Sequence, residues 1–166
     1  MNKMQEFKIV KVVLSAGGKD DELAKAKRLL EYITGKKAQI LITQKRIPDF
    51  DVRPGLEVGT RVTLRGDEAI EILKKVLGAI DNKLSKRQIV DNHFSFGIKE
   101  YIDIPGLEYK RDIGVRGFNI TIDFARPGQR IKNKKIKAGK IPRRQHVKKE
   151  EIIKYMEDVF KTKFGR

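Results

Sequence analysis

Between Val58 and Ile80 the chain switches its hydrophobic period from two residues to about 3.6 across a single turn, which excludes all-helical and all-strand architectures. Val58, Val62 and Leu64 alternate with Arg61, Thr63 and Arg65, Thr60 being the one polar residue on the apolar side. That is the pattern of a half-buried strand. Gly66 and Asp67 mark a turn, after which Ala69, Ile70, Leu73, Val76, Leu77 and Ile80 recur at the i, i+3, i+4, i+7 spacing of an amphipathic helix.

The same two periods recur along the chain. FKIVKVVL, from Phe7 to Leu14, reads as a strand, and SAGGKDD as a turn into a helix. From Asp20 to Thr34 the positions Leu23, Ala26, Leu30 and Ile33 form a helical stripe that Gly35 ends. Gln39 to Gln44 is strand-like, and KRIPDFDVRPGLE, with two prolines, is an exposed loop. From Asp81 to Ile104 the signal is weaker, with a strand in HFSFGI or KEYIDI before a Pro105-Gly106 break. Phe118, Ile120, Ile122 and Phe124 alternate with Asn119, Thr121 and Asp123 as a strand. Ile152, Ile153, Met156, Val159 and Phe160 predict an amphipathic helix from Glu150 to Phe160. The order β, α, β, β, α, β with additions is the split βαβ pattern of ferredoxin-like α+β folds, an antiparallel sheet with helices on one face. The expected organisation is one domain: a core over 1–124, a basic extension over 125–149 and the terminal helix over 150–166.

In such a fold the other sheet face is open. Alternation puts Arg61, Thr63, Arg65, Asn119, Thr121 and Asp123 on it, and Thr43 beside Ile42 is expected to join them. The face has no aromatic residue. Hydroxyls, amides and guanidinium groups suit the phosphates and 2′-hydroxyls of a folded RNA, whereas recognition of splayed bases uses sheet aromatics for stacking. The solvated side of an ordinary sheet carries the same pattern.

The net charge of +16 points the same way, and much of it lies in one segment. From Ala125 to Lys149 there are eleven Lys and Arg residues and no Asp or Glu. Each basic group that meets a phosphate releases counterions, so Arg126, Arg130, Lys132, Lys134, Lys135, Lys137, Lys140, Arg143 and Arg144 are candidate nonspecific RNA phosphate contacts. A solvated basic linker has the same composition. With no cysteine, disulfides and thiolate chemistry are excluded and a cytoplasmic setting is the default. His93 and His146 lie far apart in sequence, so neither a metal nor a cofactor is expected. No apolar stretch is long enough to span a bilayer, and no membrane partner is expected. The acids Asp20, Asp21 and Glu22 fit a helix start, and Asp49 and Asp51 sit among Lys45, Arg46 and Arg53, so no catalytic site is expected. The competing classes are an RNA-processing accessory factor using Asp20 to Glu22 with a divalent metal, and a nonspecific RNA chaperone.

Five segments then occur in an informative order: VVLSAGG, TGKKAQILIT, DFDVRPGLEVGTRVTLRG, NHFSFGIKEYIDIPG and VRGFNITI. Together they resemble the large-subunit ribosomal protein L-five family, in its archaeal form, from about Phe7 to Phe124. The resemblance implies a noncatalytic ribosomal component that binds 5S rRNA through polar residues around the sheet. The matching positions are Ser15, Lys36, Thr63 and Arg65, with Arg61 and Thr43 on the same stripe; Ser15 and Lys36 replace the Asn and Gln usual in bacterial members. It further implies that the loop carrying Lys45, Arg46, Phe50 and Arg53 meets P-site tRNA or rRNA. Large-subunit 23S rRNA and a small-subunit head protein across the intersubunit bridge are the other implied partners.

Overall fold

The structure is a computed structural model that describes Asn2 and residues 4–165. Strand β1 (Lys8–Gly17) leads through Gly18 into helix α1 (Asp20–Thr34), whose first turn carries Asp20, Asp21 and Glu22 against the positive end of the helix dipole. A Cβ on Gly18 would lie 3.0 Å from that of Glu22, so the tight entry disfavours a side chain. Gly35, in the left-handed region at φ 65°, donates its N–H to Glu31 O and ends the helix. Strands β2 (Gln39–Ile42) and β3 (Glu57–Leu64) flank the long loop, and α2 (Asp67–Gly78) follows Gly66.

Short strands β4 (Lys83–Ser85) and β5 (Ile89–Val90) precede β6 (His93–Ile98) and β7 (Phe118–Ala125). A four-residue helix α3 (Arg130–Asn133), helix α4 (Lys149–Phe160) and strand β8 (Lys163–Gly165) complete the chain. The main sheet has the order β2-β3-β1-β7-β6-β5 with every neighbouring pair antiparallel, and β4 pairs with β8 in parallel. Within it β2-β3-β1-β7 is the split βαβ arrangement, to which β6 and β5 add a hairpin.

Helices pack on one face of this sheet because the inward residues of its strands form one apolar surface. Val12, Leu14, Val62, Leu64, Ile120, Ile122, Phe94 and Phe96 cluster with Leu29 and Leu30 of α1 and Leu73 and Leu77 of α2, all buried. Thr60, the exception in its strand, is fully buried and donates its hydroxyl to Gln39 O at 3.2 Å. Helix α4 joins the same core: Ile152 and Met156 are fully buried, and Tyr155 packs on Phe7 at 5.2 Å between ring centroids and on Phe124 at 5.9 Å.

Several expectations are corrected. The strand predicted to end at Leu14 runs on to Gly17, since Ser15, Ala16 and Gly17 pair with Arg61, Thr60 and Gly59. Strand β2 stops at Ile42, short of Gln44, after a register shift beyond Leu41. HFSFGI is the strand; in KEYIDI, Tyr101–Asp103 is a 3₁₀ turn, and Tyr101 and Ile104 are buried in a packed connection while Ile102 is exposed. Val159 is 51% exposed and does not belong to the buried stripe of α4.

Candidate RNA interface

Strand register turns the open face into rows. Gln39 stands opposite Arg61, Arg61 opposite Ser15, Ser15 opposite Asn119, and Asn119 opposite Gly97, so one polar row crosses β2, β3, β1, β7 and β6. Thr63, Val13, Thr121 and Ser95 form the next row, and Lys11, Asp123 and His93 a third. The Arg61 Nε donates to Gln39 Oε1 at 3.1 Å, and Lys11 pairs with Asp123 at 3.0 Å. A Cβ at Gly97 would lie 2.9 Å from Asn119 Oδ1, so a side chain there would turn the Asn119 carboxamide aside. Hydroxyls and carboxamides both donate and accept, as a 2′-hydroxyl does, and guanidinium matches phosphate.

Of the residues expected on this face, Ser15, Arg61 and Thr63 lie together on it, and Arg65 is exposed at its end. Ser15 reaches it only because β1 extends to Gly17. Thr43 does not belong: the shift between Leu41 and Ile42 puts both opposite residues of one phase, Gly59 and Glu57, which reverses the alternation beyond them. Its hydroxyl oxygen is accordingly buried and has no partner among the described residues. Lys36 sits in the turn after α1, where its ammonium bonds the Glu68 carboxylate of α2, with the helix layer rather than the open face. Gln39, Lys11, His93 and Gly97 were not among the predicted site residues. Alternation in FKIVKVVL signals Lys11; the role of Gly97 has no local signal.

The loop from Lys45 to Arg53 is shaped. Ile47 and Val52 form an antiparallel bridge around the 3₁₀ turn Pro48–Phe50, and Val52 is buried. The Lys19 ammonium, at the head of α1, donates to Phe50 O. Lys45, Arg46 and Arg53 stay exposed, and Phe50 holds its ring out at 67% exposure.

The basic extension is a hoop whose two ends are pinned to the core. Arg126 donates to both carboxylate oxygens of Glu151, at 2.8 and 2.7 Å. Val147 is fully buried; its N–H donates to Asn92 Oδ1 at 2.8 Å, and Asn92 N–H donates to Val147 O at 3.0 Å. Burial works to raise the Glu151 pKa, but the Arg126 hydrogen bonds, the Lys148 N–H and both positive charges outweigh it and leave the carboxyl below its ordinary value. Arg126, expected as a phosphate contact, is drawn instead toward Glu151, with its side chain 20% exposed.

Between hoop and sheet lies an open groove of about 1170 Å³, lined from the sheet side by Lys11, Arg65 and His93 and from the hoop by Lys132, Lys140 and Arg143. Arg130, Lys134, Lys135, Lys137 and Arg144 are exposed on the rest of the hoop. His93 and His146, remote in sequence, both line this groove, yet no set of three or more candidate metal ligands converges among the described residues. Of the acids at the start of α1, Glu22 is engaged by Arg116 at 3.4 Å.

The model of the C-terminus of the ribosomal L-five protein family matches residues 57–155, so the match continues past Phe124 through the hoop and into α4. The chain is 39% identical to the large ribosomal subunit protein uL5 of Nanoarchaeum equitans over 93% of its own length and 94% of that protein's. It is 38% identical to the uL5 of Thermoplasma volcanium across the whole of both chains, and 40% identical to that of Sulfolobus acidocaldarius over 91% and 85%.

Proposed function

The chain belongs to the ribosomal L-five protein family, as a structural protein of the large ribosomal subunit rather than an enzyme, and from that premise we propose that it binds 5S rRNA through its open sheet face. The observation that carries this reading is the polar row Gln39, Arg61, Ser15, Asn119, continued by Thr63 and Arg65, in rows that hold no Phe, Tyr or Trp. Such a surface hydrogen-bonds the sugar-phosphate shape of folded RNA and gives bases little to stack on. Lys36 contributes from the rim, by exchanging Glu68 for a phosphate.

The other contacts follow the charge. The hoop residues Lys132, Lys140 and Arg143 take large-subunit rRNA phosphates, adding affinity without sequence choice. The loop of Lys45, Arg46, Phe50 and Arg53 reaches P-site tRNA, and a small-subunit head protein meets the chain across the intersubunit bridge. In this reading the chain anchors 5S rRNA in the central protuberance of the cytoplasmic ribosome.

Replacing Thr63 and Arg65 together by alanine tests it, since both side chains leave the core untouched. A lost charge-assisted bond costs about 1.5 to 3 kcal/mol, so affinity for 5S rRNA should fall by roughly ten- to a hundredfold with the thermal transition unchanged. Unaltered affinity would remove the sheet-face assignment. The charge of the hoop alone favours a nonspecific RNA chaperone; that second reading requires equal affinity for unrelated structured RNAs at one salt concentration.

A further inference from the structure

Three isoleucines are spaced five residues apart in the basic hoop, and two of them have structural work to do. Ile141 is half-buried and lines the groove. Ile131 packs on Gly139, where a Cβ would come within 2.7 Å of its Cγ2, and its carbonyl accepts the Gly139 N–H at 3.1 Å. That contact closes the apex of the hoop, which Lys137, in the left-handed region at φ 54°, turns back on itself. The third, Ile136, stands on the closed apex at 80% exposure, the most exposed large hydrophobic residue among those described.

We propose that the apex is an RNA-gripping tip in which Ile136 packs against an unpaired base or its ribose while Lys134, Lys135 and Lys137 hold the flanking phosphates. The inference rests on the ribosomal RNA-binding reading and extends it to a residue that carries no charge. The surroundings choose the occupant. The only ionic groups from Ala125 to Lys149 are basic, so a second copy of the chain or a neutral apolar pocket meets unrelieved positive charge. A polyanion that also presents apolar surface relieves it, and RNA does so where bases are unpaired, because in an A-form helix the base faces are stacked on one another and only unstacked bases of loops, bulges and ends offer them to a side chain. Closure of the apex and the pinned ends at Arg126 and Val147 fix the tip in advance, so little ordering entropy opposes docking.

The test compares full-length protein with Ile136→Asn, Ile136→Leu and Lys135→Ala on large-subunit rRNA fragments whose loops are left unpaired or closed by a complementary strand, over a salt series. An apolar contact contributes a term that salt does not change, so Ile136→Asn should weaken binding to the unpaired fragment about tenfold at every salt concentration. Ile136→Leu should keep wild-type affinity. Lys135→Ala should instead lower the salt slope by about 0.7 to 0.9. Closing the loop should abolish the difference between Ile136→Asn and wild type. Wild-type affinity in Ile136→Asn, or an equal loss on paired and unpaired fragments, would overturn the proposal while leaving RNA binding intact. Failure of the wild-type protein to bind any rRNA fragment would instead overturn the reading beneath it. Ile136→Asn affinity lost only toward a purified acidic ribosomal protein, with RNA unaffected, would give the tip a protein partner and also sink it.

Discussion

Glu151→Gln isolates one charge in the clamp that closes the hoop, because glutamine keeps the shape and still accepts the Lys148 N–H. In the wild type the Arg126 guanidinium makes two bonds of 2.8 and 2.7 Å to the carboxylate, with the two side chains 20% and 39% exposed. An exposed pair contributes about 0.2 to 1 kcal/mol, and removing one partner of a fully buried pair costs about 3 to 5 kcal/mol. This pair lies between those limits. Solvent screens Glu151, so the low end of the range for charge-assisted bonds applies, and the expected loss is about 1.5 to 2 kcal/mol at pH 7. The folded carboxyl sits below its ordinary pKa, so the contribution is complete above the unfolded carboxyl's titration, about 4.3, and is lost as pH falls through the folded value. Urea unfolding of wild type and Glu151→Gln at several pH values measures this. The two stabilities should differ at pH 7 and converge in acid. A difference that persists unchanged well below the folded carboxyl's titration, or is below about 0.5 kcal/mol at pH 7, would refute the clamp.

Two further substitutions probe the frame that carries the interface. Met156→Ala, at a fully buried position on α4, should cost about 2 to 5 kcal/mol in urea unfolding; a loss under about 1 kcal/mol would mean that the terminal helix is not part of the core. Gly117→Ala would put a Cβ 2.5 Å from Ile98 O and 2.6 Å from Lys99 O, both backbone atoms of the neighbouring chain segment. A destabilisation of about 1 to 3 kcal/mol is expected, and wild-type stability would disprove the close approach.

Where side chains alternate over long, uninterrupted runs, sequence and structure agree. Strand β3, strand β7 and helix α1 fall where their periods put them, and Thr60 breaks its pattern because a hydroxyl can be buried once Gln39 O accepts from it. Disagreements occur where pairing rather than propensity sets the limit. Ser15 to Gly17 are poor strand formers held extended by Arg61, Thr60 and Gly59 across the ladder. Strands β4, β5 and β8 have two or three residues each, too few to establish a period. Thr43 leaves the open face because one register shift reverses the alternation, and such a shift leaves no mark in composition.

The sequence by itself determined the α+β class, the single apolar face of each long element, the polar character of the open sheet face and the positive charge of the segment after β7. These depend on residue type and spacing along the chain. Tertiary structure decided which polar residues stand side by side, since Gln39, Arg61, Ser15, Asn119 and Gly97 come from five strands and meet only through their registers. It also divided the basic residues by role. Arg126 is bound to Glu151, while Lys134, Lys135 and Lys137 stand exposed to solvent, a distinction that charge counting cannot make because it depends on where an acid twenty-five residues away comes to rest.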